Sequence, residues 1–531
     1  MCGCVGVIDR RGRLGATRLS ALARAMTDLQ HHRGPDDSGV WVSPDGRTAL
    51  GHRRLSIIDL SADGRQPFKA PSRRSMVVYN GEIYNHLALR QRLEARGVRF
   101  VSHCDTELLP HLFDDLDPAA LTTLDGMFAF GIWRDDLHRL MLARDAFGEK
   151  PLYVYEDDDV FAFASEMQSF YALPSFDPTL DREAVADYLM LGYLPGPSTI
   201  YRHVRLMAPG SFEIHDFARA GSPSRIEQGR FHGFEAHENP ALAGLDRRTI
   251  EAELTDRLIA SVDRRMISDV PLGAFLSGGV DSALIAAIVR RELGRDLDTF
   301  SMGFTGSPDS EHEAARDIAN HLGTRHHERM VAPEGLADMA LIADALDQPN
   351  GDSSCLPTYH LSAFAREHVT VCLSGDGGDE LFGGYGRYRD TLNDWADPAR
   401  IRANLGIDPA TARPSDVYMS LRWHIWLPAD AGRLMGGLSD ATRARVEGWR
   451  AVLNDGRHPL LHRMRTIDTS LYMPGSVLAK VDRMSMQHAL EVRCPMLDRS
   501  FAGLAMGLET ADCWRAPTTT KAMLKSIASR Y

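Results

Sequence analysis

Along the first 215 residues, short apolar runs are separated by turn residues. RTALGHRRLSIIDL (47–60), SMVVYNGEIYN (75–85), GMFAFGIWR (126–134), RLMLARD (139–145) and DVFAFASE (159–166) alternate or cluster apolar positions as strands do. Two stretches change period. In LSALARAMTDLQHH (19–32), Leu19, Leu22, Met26 and Leu29 share one helical face, and NHLALRQRLEARG (85–97) stops at Gly97. Strands with helices laid against them predict a layered α+β domain over 2–215.

The texture changes over 216–246. FARAGSPSRIEQGRFHGFEAHENPALAGLD has Gly, Pro, Ser and charge without periodicity and reads as an irregular connection. From 247 to 531 strands and helices alternate. TIEAELTDRLIASVDRRM (249–266) sets Ile250, Leu254, Leu258, Ile259 and Val262 on one helical face. PLGAFLSGG (271–279) reads as a short buried strand running into a glycine turn, and SALIAAIVRREL (282–293) as the next helix. DTFSMGF, EAARDIANHLG, RHHERMV, LADMALIADAL and HVTVCLSG continue the series. Such alternation predicts an α/β, doubly wound parallel sheet with ligands beyond the carboxyl ends of its strands.

Composition narrows the class further. Of 531 residues, 44% are hydrophobic and 25% charged, ordinary for a globular chain of several domains. A formal net charge of −12 argues against a general nucleic-acid binder, though not against nucleotides reached through metal ions. Seven cysteines, an odd number without repeated spacing, predict a reduced, cytoplasmic protein. There is no N-terminal apolar h-region and no run of ~18 apolar residues, so neither a signal peptide nor a membrane span is expected.

Two predicted strands end in similar words, LSGGVDS (276–282) and LSGDGGDE (373–380). In the first, Gly278 and Gly279 allow close backbone approach to a ligand. The following helix start offers free N–H groups to an anion, and Ser277 and Ser282 add hydroxyls. Asp281 would repel a phosphate unless a divalent cation lay between them, which makes it a candidate magnesium ligand. The lysine of a Walker A loop is missing. In the second word, Asp379 would face Asp281 across the strand ends, and two carboxylates with a triphosphate make a hard-cation site. A flexible acidic turn is the plainer reading. It does not account for Leu381 and Phe382 standing directly before another Gly-Gly pair.

The chain opens MCGCVGVIDR. With Met1 removed, Cys2 carries a thiol and a free α-amino group. Their ordinary pKa values, ~8.5 and ~7.7–8.0, let the amine take the thiol's proton near neutral pH. Cys4 reads as a small packed strand residue, since a Cys-x-Cys metal site has no second ligand cluster nearby.

At this point a resemblance becomes specific. LSGGVDS matches the SGGxDS pyrophosphate loop of the PP-loop ATP pyrophosphatases. Cys2 with HHRGPDDSG (31–39), RRLSIID (53–59), YNGEIYN (79–85) and CDTE (104–107) resembles the N-terminal-nucleophile glutaminase domain of the class II glutamine amidotransferases. Joined in one chain, with ALEVRCPMLD (489–498) and TTKAMLKS (519–526), these words resemble the glutamine-hydrolysing asparagine synthetases over essentially the whole sequence.

The resemblance implies an αββα sandwich fused to a PP-loop synthetase domain. It implies that Cys2 attacks the glutamine carboxamide and that Asn80 and Gly81 form the oxyanion hole. Arg54 would pair with the glutamine carboxylate, and Glu82 and Asp105 would hold its ammonium group. ATP would lie on Leu276, Ser277, Gly278, Gly279, Asp281, Ser282, Met302, Ser374 and Gly375, with magnesium on Asp281 and Asp379. Lys521 would neutralise departing pyrophosphate. Taken singly, Arg54 reads as a surface ion pair and Lys521 as a solvated helix lysine. Glutamine, ATP and aspartate are the implied small-molecule partners. A homodimer is compatible with the family, and neither nucleic acid nor membrane is implied.

Two features depart from it. Asp376 stands where the well-known asparagine synthetases carry a glutamate thought to act as a base toward the incoming amine. One methylene shorter, it either does that work from a shifted backbone or marks another acceptor. The chain also ends KAMLKSIASRY inside a predicted helix, where family members continue, so 247–531 reads as a truncated synthetase domain. Three readings follow: an asparagine synthetase, an amidotransferase for a sugar acid or natural-product intermediate, and a silent homologue that binds or regulates. Intact Cys2, Arg54, Asn80, Asp281 and Asp379 speak against the third.

Overall fold

A computed structural model describes residues 2–71, 73–219, 224–233, 242, 244–304, 311–332 and 336–531. In the N-terminal unit the strands are β1 (Gly3–Asp9), β2 (Asp37–Val42), β3 (Thr48–Arg54), β4 (Ser75–Ile83), β5 (Gly126–Arg134), β6 (Arg139–Arg144), β7 (Tyr153–Glu156), β8 (Val160–Ala164), β9 (Val204–Leu206), β10 (Ser211–Asp216) and β11 (Arg225–Arg230). They form two antiparallel sheets, β2-β3-β1-β8-β7-β9 and β11-β10-β6-β5-β4.

The two-residue period of each strand builds the layers. Val5 and Val7 of β1 face Leu19, Ala23 and Met26 of helix Gly15–Asp28. Cys4 and Ile8 turn the other way and pack with Val78 of β4 and with Ala129 and Trp133 of β5. On β4, Val77 and Tyr79 point away from that central layer toward Leu89, Leu108 and Phe113. The order helix, sheet, sheet, helix is the expected αββα sandwich. Each buried aliphatic side chain contributes roughly 1.5–3 kcal/mol.

Two details differ from the sequence reading. The first helix spans Gly15–Asp28 rather than 19–32. The Asp9 carboxylate accepts from the N–H groups of Arg11, Gly12 and Leu14, so the turn leaving β1 is satisfied and the helix starts at once. Leu29 falls past its end and is 40% exposed. The segment 216–246 is also not wholly irregular, because Arg225–Arg230 pairs with β10 as an edge strand. Its side chains are almost all exposed, so it has no apolar alternation to read. Most of the remainder of that segment lies outside the described residues.

The C-terminal unit holds β12 (Leu272–Phe275), β13 (Asp298–Phe304), β14 (Arg325–Val331), β15 (Val371–Leu373) and β16 (Glu491–Arg493) in one parallel sheet, ordered β14-β13-β12-β15-β16. The chain runs outward from β12 on one side and then fills the other, which is doubly wound topology. The direction reverses between β12 and β15, where such sheets bind ligands. Helix Arg247–Arg265 is capped by Asp246, whose carboxylate accepts from the Thr249 N–H at 3.0 Å, and it buries Ile250, Leu254, Leu258 and Val262. Among the described residues no helix is long and apolar enough to cross a membrane. All seven cysteines are buried and free.

Two candidate active sites

Cys2 lies just ahead of β1 and is 7% exposed. Its nitrogen donates to Asn80 Oδ1 at 2.8 Å, and its carbonyl accepts from Arg33 Nε at 3.1 Å. Asn80 Nδ2 is buried without a hydrogen-bond partner, which leaves a side-chain donor beside the thiol residue. Gly81 must be glycine, since a Cβ there would sit 2.1 Å from the Met127 carbonyl oxygen. A small cavity of about 20 Å³ brings Cys2, Arg54, Gly81, Glu82 and Asp105 together, with Leu55, Ile57, Ile58, Gln66, Tyr79, Cys104 and Thr106 completing the wall. That volume holds about one water, so an amino-acid ligand must displace side chains at the rim.

Every expected residue of the first site therefore converges, and neighbours account for their positions. Arg54 donates to the carbonyls of Ser61 (2.8 Å), Ile58 (3.4 Å) and Asp59. It fits there only because position 64 is glycine, where a Cβ would lie 2.1 Å from Arg54 Nη2. Asp105 Oδ2 accepts from the Tyr79 hydroxyl at 2.7 Å and the Ile83 N–H at 2.8 Å. Burial pushes the Cys2 thiol above its ordinary value, against the opposing pull of the Leu55 N–H and the Arg54 guanidinium. Cys4 is fully buried in the central layer, 3.3 Å from Ser165 Oγ.

The second site lies at the reversal of the parallel sheet. A cavity of about 310 Å³ is lined by Leu276, Ser277, Asp281, Ser282, Met302, Ser374, Gly375, Asp376 and Asp379. Gly278 and Gly279 are not on its wall. A Cβ on Gly278 would come 2.9 Å from Ala314 Cβ, so this glycine lets the loop close against helix His312–Leu322. Gly279 caps helix Val280–Ala287 without a side-chain acceptor, which leaves that helix's first N–H groups for another partner.

Asp281 and Asp379 are bridged by the Lys521 ammonium, which donates to Asp281 Oδ2 and lies 2.8 Å from Asp379 Oδ1. Burial raises the Asp281 carboxyl to about 6, with Lys521 opposing the rise and Asp379 and Asp376 adding to it. Burial works against the Lys521 charge, but Asp281 and Asp379 together raise its pKa. Glycines in and just after the second word make room for this cluster. A Cβ on Gly378 would sit 2.6 Å from Asp281 Cγ, and one on Gly384 would sit 1.9 Å from Lys521 Cε and 2.0 Å from Asp379 Oδ1. Leu381 and Phe382, between them, are core residues. Gly384 is thus required by a lysine 137 positions further on (521 − 384), whereas Gly383 beside it is favoured by its left-handed backbone at φ +67°.

Asp376 lines the cavity and accepts from the Ser374 hydroxyl of its own loop. Among the described residues no group of three or more His, Cys, Asp or Glu could hold a metal ion. Sequence reading missed Glu380, which lines the cavity, accepts from the Tyr385 hydroxyl at 2.6 Å and is raised by burial to about 7. It also missed the charged pair Glu491 and Arg493, which crosses from β16 toward the first site. The only signal was charge inside an otherwise apolar word, ALEVRCPMLD.

Comparison with known proteins agrees with this geometry. Residues 253–531 match the asparagine synthase family, and residues 1–224 match the glutamine amidotransferase domain. The chain is similar to asparagine synthetase [glutamine-hydrolyzing] 1 of Bacillus subtilis, 33% identical over 94% of this chain and 80% of that protein. A putative asparagine synthetase [glutamine-hydrolyzing] of Mycobacterium tuberculosis is 34% identical over 99% of this chain and 84% of its own. Asparagine synthetase B [glutamine-hydrolyzing] of Escherichia coli is 31% identical over 72% and 65%. With a thiol site in an αββα sandwich and a carboxylate–lysine site at the reversal of a parallel sheet, the chain belongs to the glutamine-dependent asparagine synthase family.

Proposed function

We propose that this family member hydrolyses glutamine at the Cys2 site and uses the ammonia at the second site to amidate the side-chain carboxylate of L-aspartate, converting ATP to AMP and pyrophosphate. The carrying observation is the Asp281–Lys521–Asp379 cluster, whose two aspartates line the larger cavity, in the same chain as the Cys2–Asn80–Gly81 cluster. The aspartate assignment draws its support from the names of the relatives.

At the first site, removal of Met1 turns the Cys2 nitrogen into an amine that takes the thiol proton. Asn80 Oδ1 accepts from that nitrogen and so orients it. The thiolate attacks the carboxamide carbon, and charge on the carbonyl oxygen meets Asn80 Nδ2 and the Gly81 N–H. The Cys2 ammonium returns its proton to the amide nitrogen, and collapse expels ammonia and leaves a thioester, which water hydrolyses to glutamate and the free thiol. Arg54 would hold the substrate carboxylate, and Glu82 and Asp105 its ammonium group.

At the second site, Leu276, Ser277, Ser282, Met302, Ser374 and Gly375 would line the nucleotide, and the start of helix Val280–Ala287 would face its phosphates. Asp281 Oδ1 is buried without a hydrogen-bond partner, and its neighbour Asp379 supplies a second carboxylate. This oxygen donor set fits a hard divalent cation completed by phosphate oxygens, so Asp281 and Asp379 would hold magnesium. Bound there, magnesium would neutralise phosphate charge. Lys521 would turn from the two aspartates toward departing pyrophosphate.

Ammonia in neutral water is mostly ammonium and does not attack an acyl adenylate, so it must pass between the sites away from solvent. A small cavity between the units, lined by Glu149, Tyr153 and Leu206 on one side and Pro474, Gly475 and Ala479 on the other, supports such a passage. One observation favours a different acceptor: Asp376, a methylene shorter than the family glutamate, is held back by its own Ser374.

The test supplies glutamine, ATP and magnesium with L-aspartate or with a panel of other carboxylic acids, and measures pyrophosphate and the amide. Aspartate-dependent pyrophosphate with asparagine is expected. Pyrophosphate driven only by another acid would remove aspartate and keep the amidotransferase. Neither glutamate nor pyrophosphate under any condition would leave a silent homologue.

A further inference from the structure

Arg493 belongs to the synthetase sheet by its backbone and to the glutaminase site by its side chain. On β16 its carbonyl accepts from the Ser374 N–H at 2.9 Å, which ties it to the LSGDGG loop. Its guanidinium runs the other way. Nε donates to Glu491 Oε1 at 2.7 Å, and Nη1 donates to the carbonyls of Arg265 (2.8 Å) and Ile267 (2.7 Å). Nη2 makes no hydrogen bond and lies 3.5 Å from Glu82 Oε1, on the wall of the Cys2 cavity. The side chains of Arg493, Glu491 and Glu82 are 1%, 0% and 6% exposed.

A buried arginine costs several kcal/mol unless it is paired, so its partners indicate why it is there. Two of them, the carbonyls of Arg265 and Ile267, fix the guanidinium plane. The other two are carboxylates from different units. Glu82 faces Glu491, Asp105, the Tyr79 hydroxyl and Arg493; of the two positive groups that act on it, Arg493 and the chain's amino group, Arg493 is the stronger. Burial and the two neighbouring carboxylates push Glu82 well above the usual carboxylate range, and Arg493 opposes them. A neutral Glu82 would not hold an ammonium group.

We propose that Arg493, supplied by the synthetase unit, is a positioning residue for glutamine: it fixes the Glu82 side chain on the cavity wall to meet the substrate ammonium. Glutamine binding then depends on β16 being seated beside the LSGDGG loop, which gives the synthetase site a direct hold on its nitrogen donor. This rests on the glutaminase reading of the Cys2 site.

The test uses the full chain. Glutamate release from glutamine is measured between pH 6 and 9 for the unaltered protein, R493Q, R493K and E82Q, with ammonia-supported pyrophosphate release as the check on the synthetase unit. R493Q is expected to raise KM for glutamine at least about tenfold, which is 1.4 kcal/mol, with kcat within about threefold. Its optimum for glutamine binding should move to higher pH, because Glu82 loses the stronger of the two positive groups that favour its charge. R493K should recover part of the KM, and R493Q with E82Q together should be no worse than E82Q alone. An unchanged KM in R493Q, or ammonia-supported activity falling in step with glutaminase activity, overturns the proposal. If R493Q does not fold, E82Q decides: a KM unchanged by removing the Glu82 charge overturns it equally. Absence of glutamate release from the unaltered protein would instead defeat the glutaminase reading itself.

Discussion

Two cysteines two residues apart show how far single positions can be assigned. Cys2 shares a wall with Arg54, Gly81 and Asp105, whereas Cys4 is fully buried between the sheets. Cys2→Ala is expected to lower glutamine hydrolysis by at least about 10³-fold while ammonia still supports pyrophosphate release. Cys4→Ala should keep the hydrolysis at a cost of about 1 kcal/mol in stability, read from denaturant midpoints. Loss of ammonia-supported activity in Cys2→Ala would show that the two sites are not separable. Glu149 carries a second expectation. It is 4% exposed, Oε1 has no hydrogen-bond partner, and burial, reinforced by Asp145, raises it to about 8. Between its unfolded value near 4.5 and about 8, the folded state holds the extra proton. Stability is therefore fully present below 4.5 and is lost as pH rises, at up to roughly 1.4 kcal/mol per unit. Glu149→Gln should melt above the unaltered protein at pH 9 and lose that advantage at pH 5; equal gaps at both pH values would contradict this. Residues with local chemistry, such as Cys2 and Asp281, were legible in the sequence. Arg493 was not, because its meaning lies in Glu82, 411 positions away (493 − 82).

At the scale of elements, strands and loops read well where one face is apolar. β4, β5 and β12 fall inside the predicted runs, and LSGGVDS opens a helix as expected. β11 escaped because an exposed edge strand pairs through its backbone and carries no apolar period. The first helix was misplaced because its start is set by Asp9 on a neighbouring strand. The glycine-rich loop after β15 is tuned to side chains elsewhere. Gly384→Ala should abolish pyrophosphate release and spare glutamine hydrolysis, since its Cβ would collide with both Lys521 and Asp379; retained pyrophosphate release would show that the cluster can shift. Helix Leu478–Met486 spans the boundary between the units. Lys480 donates to Ser354 Oγ at 2.8 Å on the synthetase side, and Asp482 takes both Arg33 (2.8 Å) and Lys150 (3.3 Å) from the glutaminase side. Arg33 and Lys150 hold Asp482 down to about 2 in spite of burial. Its stabilisation is present above about 3.8 and is lost as pH falls toward 2. Asp482→Asn should cost ~3–5 kcal/mol and depress glutamine hydrolysis, because Arg33 also holds the Cys2 carbonyl. Unchanged melting would show that the interface does not depend on this pair.

For the whole molecule, the two chemistries require each other, and the interface is built accordingly. Arg33, Glu82 and Lys150 of one unit meet Asp482 and Arg493 of the other in buried charge pairs. An interface filled with paired charges is a costly way to glue two domains, which argues that their relative position matters. The sequence announced both units and their order; it did not announce that side chains of one complete the other. The central claim of the proposed function is that nitrogen moves from glutamine at Cys2 to the side-chain carboxylate of L-aspartate at the Asp281–Asp379 site within one chain. It is tested most directly by supplying amide-15N glutamine, ATP, magnesium and L-aspartate in an excess of unlabelled ammonium, and reading the isotope in the product amide. Asparagine enriched in 15N, formed one for one with AMP and pyrophosphate, is the expected result. Asparagine carrying only unlabelled nitrogen, or glutamate released with no amide formed, would contradict it.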